Sequence, residues 1–220
     1  MSLTDMNTPL VVDEEELRHA RAQKRERIAK WVLPVVVIAL AIYLWSTRGI
    51  EQPKYSSILK DGAFEVRDYP ELLAAEVSTS GSRYDAVRQG FRPLASYIFA
   101  KERTGASISM TAPVTQTPTA ADNEWVVRFI MPSKYTIDTL PKPEGAEVKI
   151  VPMPAMRRAV VRFSGVATDE LIAAKETELR NWMKAQKLNA TGSKTYAYYN
   201  DPLTPGFLRR NEVMLDIPAN

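Results

Sequence analysis

The chain repeats itself. Residues 64–99 and 148–183 align at a constant offset of 84, which sets Pro70 on Pro154, Ala75 on Ala159, Val77 on Val161, Ser80 on Ser164, Gly81 on Gly165 and Asp85 on Asp169. In each copy an alternating stretch runs to a glycine and a helical pattern begins a few residues later. Such a unit leaves its apolar face open until its twin covers it, so the duplication constrains the architecture before any chemistry is considered. Beyond the helices, Ser109/Ser193 and Thr111/Thr195 keep the same offset. It then becomes 86, pairing Val127 with Val213, Met131 with Ile217 and Pro132 with Pro218, and predicts a two-residue insertion. The crease between the halves is the expected place for a ligand.

Strands are predicted at 64–70, 73–79, 109–114 and 125–131 in the first copy, and at 148–151, 157–164, 194–199 and 212–217 in the second. A capping box at Ser82-Arg83-Tyr84-Asp85 opens a helix to about Ala100, and Thr168 caps a second to about Lys187. Residues 132–147 carry three prolines and read as the connector between halves. The expectation is α+β: a duplicated, distorted eight-stranded antiparallel β-barrel flanked by two α-helices, over residues 61–218 with repeats at 61–132 and 148–218.

An uncharged run of 17 residues, 31–47, precedes this domain. As a helix it spans ~25 Å, the short end of what crosses a bilayer. Trp31, Tyr43 and Trp45 sit at its ends, where amphipathic rings favour the interface, and Pro34 falls in its first turn, where a missing N–H costs little. A cleaved signal peptide fits less well, because 30 residues precede the run and Trp45-Ser46-Thr47-Arg48 is a poor cleavage site. Six Lys/Arg stand against Glu26 in residues 17–30. The expected order is therefore a basic cytoplasmic segment (1–30), a single transmembrane helix (31–47), a linker (48–60) and an extracytoplasmic domain, periplasmic in a Gram-negative cell.

The net charge of +3 is small and spread along the chain, since residues 49–220 carry 22 basic and 20 acidic side chains. That balance gives nucleic acid no electrostatic footprint on the domain. With no cysteine there are no disulfides, thiolate metal sites or thiol nucleophiles. The single histidine, His19, lies outside the domain, which removes His-based triads and His-ligated metal from it.

Four local strings occur together: Phe64-Glu65-Val66-Arg67-Asp68-Tyr69-Pro70, Ile108-Ser109-Met110-Thr111-Ala112-Pro113-Val114, Phe163-Ser164-Gly165, and Arg209-Arg210-Asn211-Glu212-Val213 after Tyr199-Asn200-Asp201-Pro202. In this order they resemble the SOUL haem-binding protein family, over about residues 55–218. The resemblance implies a duplicated barrel related to bacterial effector-binding domains, and non-covalent binding of haem or another tetrapyrrole without catalysis. There are departures. The domain has no histidine to serve as an axial ligand, Asp201 stands where the family has the first of two prolines, and no Lys or Arg between Asp201 and Leu208 is available for a propionate.

On the family's map Arg88, Phe91 and Ala95 meet the porphyrin, and the stripe Arg88, Arg92, Ala95 and Phe99 mixes cationic and apolar side chains on one helical face. Arg suits a propionate because its fork makes two charge-assisted bonds. Val87, Phe91, Leu94 and Ile98 follow the spacing of a buried stripe. Met and Tyr can hold haem iron, so Met110, Tyr196 and Tyr198 are the available axial candidates, although Met110 also suits packing inside the barrel and the two tyrosines suit the core rim. The cofactor-binding set is thus Arg88, Phe91, Arg92, Ala95, Phe99 and Met110, with haem as cofactor, no catalytic residue and no metal site on side chains alone. Arg209, Arg210 and Glu212 read as a structural corner, Asn211 as a residue tolerant of positive φ, and Glu65 and Asp68 as solvated.

The sequence reading is a membrane-tethered tetrapyrrole carrier, buffer or sensor. Two alternatives stand beside it: a ligand-free envelope scaffold, and a hydrolase of small molecules on an effector-binding-like fold, with Glu76 or Glu212 as its acid.

Overall fold

A computed structural model describes residues 30–32, 34–35, 49–101 and 103–219. The chain divides into two compact units, Met1–Gly49 and Ile50–Asn220. In the first, Lys30, Trp31, Val32, Pro34 and Val35 are helical and exposed. Among the described residues no helix is long and apolar enough to cross a membrane. The rest of the expected anchor, with the basic segment and His19, lies outside the described residues.

The second unit is built as β1 (Ser56–Asp61), β2 (Phe64–Tyr69), β3 (Leu72–Ser80), α1 (Arg83–Ile98), β4 (Val114–Pro118), β5 (Glu124–Ile130), β6 (Lys149–Met153), β7 (Met156–Phe163), α2 (Asp169–Ala185), β8 (Lys194–Tyr198), a 3-10 turn (Gly206–Leu208) and β9 (Asn211–Ile217). Each repeat is ββαββ. All nine strands join one antiparallel sheet in the order β1-β2-β7-β9-β8-β4-β5-β3-β6. Two expectations are corrected here. The sheet has nine strands, because residues read as linker form β1 on the outer edge of β2. Backbone pairing also leaves it with two edges, β1 and β6, so it is not a closed barrel of hydrogen bonds.

The order is palindromic about the β4–β8 pair, and the registers carry the duplication. Arg67 opposite Arg158 and Ala74 opposite Val151 are one pairing seen twice, as are Val77 opposite Val127 and Val161 opposite Val213. Strand β4 corresponds to β8, Val114–Pro118 on Lys194–Tyr198, at an offset of 80 rather than the expected 84. This puts the Gln116–Tyr196 pair on the pseudo-twofold axis. The helix caps are Ser82 and Thr168, each accepting from a backbone N–H three residues on, at an offset of 86. Asp85 and Asp169 are therefore not equivalent, and insertions accumulate in the turns. Gly81 and Gly165 do match: both sit at positive φ, +108° and +117°, where each chain turns from strand to helix.

Both helices lie on one face of the sheet. Under α1 pack Ala75, Val77, Leu94, Ile98, Val127 and Phe129. Under α2 pack Val161, Leu179, Trp182, Val213 and Leu215, with Trp182 stacked on Phe64 at 5.3 Å and donating through Nε1 to Asp61 at 2.8 Å. On the other face, which carries no helix, Ala74, Val160, Ala197 and Met214 are also buried. Strand alternation sends these side chains opposite to the helix-facing ones, so the sheet curls to cover them itself.

The buried stripe of α1 is Arg83, Ala86, Gly90, Leu94, Tyr97 and Ile98. It is rotated from the expected one: Leu94 and Ile98 are core, Val87 is half-buried, and Phe91 stands at the solvent boundary. Gly90 explains the rotation. A Cβ there would lie 2.7 Å from the Val127 Cβ, so α1 rests its backbone directly on β5 at that point.

Candidate functional site

Because Gly90 faces the sheet, the opposite side of α1 faces outward, and Tyr84, Arg88, Phe91, Arg92, Ala95 and Phe99 share it by helical periodicity. Phe91 is 38% and Phe99 49% exposed. Phe91 is held edge-on to Phe129 at 5.3 Å between centroids, which fixes its ring at the border between core and solvent. The Arg88 guanidinium stacks 5.5 Å above the Tyr84 ring. Ala95, half-buried, adds little bulk between the two phenylalanines. The face spans about 16 Å of helix from Arg88 to Phe99 and offers flat apolar surface flanked by two cations.

Met110 does not lie on the helix itself. It lies in the segment between the helix and β4, 37% exposed, so it does not pack inside the sheet as expected. Its segment is tied to the end of α1 through the Ile108 N–H, which donates to the Ile98 carbonyl at 2.7 Å. Tyr196 is buried and Tyr198 half-buried, both on the helix-facing side of β8.

The second copy serves as an internal comparison. At the offset of the caps, Arg88, Phe91, Arg92 and Phe99 correspond to Ala174, Thr177, Glu178 and Ala185. The exposed surface of α2 carries instead the ion pairs Lys175–Glu178 and Arg180–Glu176. The apolar, cationic character of α1 is thus not a requirement of the fold.

The crease between repeats, where a hollow was expected, is bridged by hydrogen bonds among the described residues. Arg83, at the first turn of α1, donates to Asp169 at 2.6 Å, to the Tyr198 hydroxyl at 2.8 Å and to the Ala167 carbonyl at 2.5 Å. Gln116, fully buried, donates to the Arg83 carbonyl and accepts from Tyr198. Burial pushes the Tyr198 hydroxyl up to about 12. A surface pocket of about 220 Å³ lies elsewhere, at the end of α2 between Arg180, Met183, Lys187 and Leu188. It is smaller than the ~300–1,000 Å³ of ordinary ligand clefts.

The helix-free face holds a buried charge cluster that the sequence reading placed only in outline. Glu212, fully buried, accepts from Arg67 at 2.9 and 3.2 Å, from Arg210 at 2.7 and 3.0 Å and from the Tyr199 hydroxyl at 2.7 Å. The guanidiniums of Arg67 and Arg210 lie 4.3 and 3.7 Å from the ring centroids of Tyr55 and Tyr199. Burial first, then the neighbouring Glu212 charge, drives the Tyr199 hydroxyl far up, so it stays a donor. At this corner Arg210 pairs with Glu212, while Arg209 donates to the backbone carbonyls of Thr204 and Pro202. Asn211, however, is in extended β9 and donates to the Gly165 carbonyl at 2.9 Å, so positive φ is not its role. Glu65 pairs with Arg67 and Asp68 with Arg157, and neither is simply solvated. Glu76 is likewise bound by Arg128 at 2.7 Å, which leaves both carboxylates considered for hydrolysis held by guanidiniums. Among the described residues no group of three acidic or histidine side chains could hold a metal ion.

The domain is thus a duplicated ββαββ sheet with two helices on one face and a buried charge cluster on the other. Its model-based match is to the family described as SOUL heme-binding protein, over residues 50–216, and the chain belongs to that family. It is 28% identical to Heme-binding protein 1 of Xenopus tropicalis over 161 residues, covering 70% of this chain and 84% of the relative. Among solved structures, the C-terminal domain of EcmrR superposes with a TM-score of 0.55 at 13% identity, over 74% of this chain and 98% of that one. A hydrolase from Listeria innocua gives 0.52 at 15% identity, over 73% and 94%. At these identities the two structures share the fold alone.

Proposed function

We propose that the domain binds haem or a related tetrapyrrole non-covalently on the outward face of α1, as a carrier, buffer or sensor. The observation that carries this reading is the divergence of the twin helices: Phe91, Phe99, Arg88 and Arg92 are exposed on one, while the other keeps an ordinary salt-bridged surface. The residues fit the group. Phe91, Ala95 and Phe99 offer a face for the macrocycle, and Arg88 and Arg92 are placed for the propionates through charge-assisted bonds. Haem would bring its own iron chemistry. The domain contributes apolar contact and charge, and with no histidine in residues 49–220 it has no imidazole for the iron.

The same proposal includes the tether. The uncharged run at 31–47 and the basic residues before it support a single-pass anchor with the N-terminus in the cytoplasm and the domain outside. Hemin titrated into the full-length chain in detergent should give a saturable Soret shift and quench tryptophan emission. Arg88→Ala with Arg92→Ala should weaken the apparent affinity about tenfold or more, on the ~1.5–3 kcal/mol scale of hydrogen bonds to charged groups. Unchanged affinity in that variant would remove the two arginines from the site, and no saturable shift at all would overturn the reading.

A further inference from the structure

The segment between β8 and β9 exposes apolar side chains on a rigid frame. Leu203 is 93% and Phe207 77% exposed, and Leu208 and Val166 are exposed beside them. A floppy loop would show such side chains by default, but this one is built. Asp201 accepts from the N–H groups of Leu203 and Thr204 and from the Thr204 hydroxyl. Arg209 spans the loop, donating to the Thr204 carbonyl at 2.7 Å and the Pro202 carbonyl at 2.6 Å. The Gly206 carbonyl receives the Gly165 N–H, which brings Val166 against the same loop. A fold gains nothing from ordering a segment so that its largest apolar groups face water, and such patches mark contact surfaces.

Where the chain enters the domain says what the patch would contact. Glu51 is already fixed, since its carbonyl receives the Ala112 N–H and its side chain the Ser133 N–H. Its neighbour Gln52 accepts from Arg210 at 3.2 Å, at the foot of the same loop. Only Arg48, Gly49 and Ile50 separate Glu51 from the end of the uncharged run, a reach of at most about 14 Å. The loop therefore stands at the end of the domain where the chain arrives from that run.

We propose that residues 201–208 form a membrane-contact element, with Leu203, Phe207 and Leu208 seated in the lipid interface. This rests on the anchor reading of 31–47. Shallow apolar insertion is weak alone and gains from a second attachment, which the anchor supplies. The outcome would be a domain held in one orientation on the bilayer.

The absence of cysteine makes the test direct. Leu203→Cys, Phe207→Cys and, at the opposite end of β8, Asn189→Cys are introduced singly into the full chain, labelled with the polarity-sensitive dye NBD, and reconstituted into phosphatidylcholine–phosphatidylglycerol vesicles. Probes at 203 and 207 should shift to the blue and lose at least half their emission to doxyl-labelled lipid, while the probe at 189 stays water-like. Alkaline carbonate extraction separates the two readings. Chain retained in vesicles with probes at 203 and 207 no drier than the one at 189 overturns the loop contact and leaves the anchor standing. Chain released by carbonate overturns the anchor, and the loop proposal with it. A Leu203→Ser, Phe207→Ser variant should keep its melting temperature while its domain becomes more mobile on the vesicle.

Discussion

Glu212 is the residue on which the helix-free face depends. A carboxylate shut away from water survives only if its partners match it, and here two guanidiniums and a phenol do so. Glu212→Gln should destabilise the domain by about 3–5 kcal/mol, because Arg210 would lose its carboxylate partner and buried Arg67 one of its two. Removing the most buried guanidinium as well, as Arg67→Met with Glu212→Leu, should recover part of that loss in urea unfolding, the remainder being the cost of leaving Arg210 without a carboxylate. Equal losses in the single and double variants would contradict this account. Glu65 sets a pH dependence. Its burial opposes ionisation, but hydrogen bonds from Ser57 and Arg67 outweigh it and hold the carboxyl below the usual range. A depressed carboxylate contributes stability that is complete above its unfolded value of ~4.3 and is lost as the pH falls through the folded one. Glu65→Gln should flatten the decline in stability below about pH 4.3; an acid limb identical to the parent's would show that Glu65 does not contribute to it.

Element by element, the sequence was legible where local rules suffice. Ser82 and Thr168 announced both helix starts, and alternation located the strands of each repeat except β4, expected at 109–114 and found at Val114–Pro118. Position along the turns was not legible, because the offset of 84 drifts to 86 and 80 through insertions that leave no periodic trace. β1 was missed since its six residues are all exposed, which removes the alternation that marks a half-buried strand. The rotation of α1 was missed because its contact with β5 is made by a glycine, a residue that no hydrophobic pattern registers. That contact makes a sharp prediction. Gly to Ala inside a helix ordinarily stabilises by about 1 kcal/mol, yet Gly90→Ala should destabilise by about 1–3 kcal/mol as α1 is forced off Val127. Adding Val127→Ala should relieve part of the clash. A more stable Gly90→Ala would mean the helix does not rest where described.

For the molecule as a whole, the palindromic sheet means that neither repeat owns a complete structure. β2 of the first copy pairs with β7 of the second, and β6 of the second with β3 of the first. Residues 50–147 or 148–220 expressed alone should therefore lack a cooperative unfolding transition as monomers, and mixing them should restore one by circular dichroism. A half that melts cooperatively as a monomer would show that the interlock is dispensable. Interlocking also puts side chains across the crease: the symmetry axis runs through Gln116 and Tyr196, and Arg83 donates to Tyr198 across the seam beside it. The candidate site was legible as a stripe of residue types on α1, whereas its location outside the molecule followed only from which side Gly90 faces.

The contrast between the two helices carries a numerical consequence. A body with near-twofold symmetry would ordinarily offer two equal berths, yet only one of the pair has kept aromatic rings and cations in the open. Saturation should arrive at a single equivalent of porphyrin per chain, and a second equivalent taken up with similar strength would mean the twins never parted in their duties.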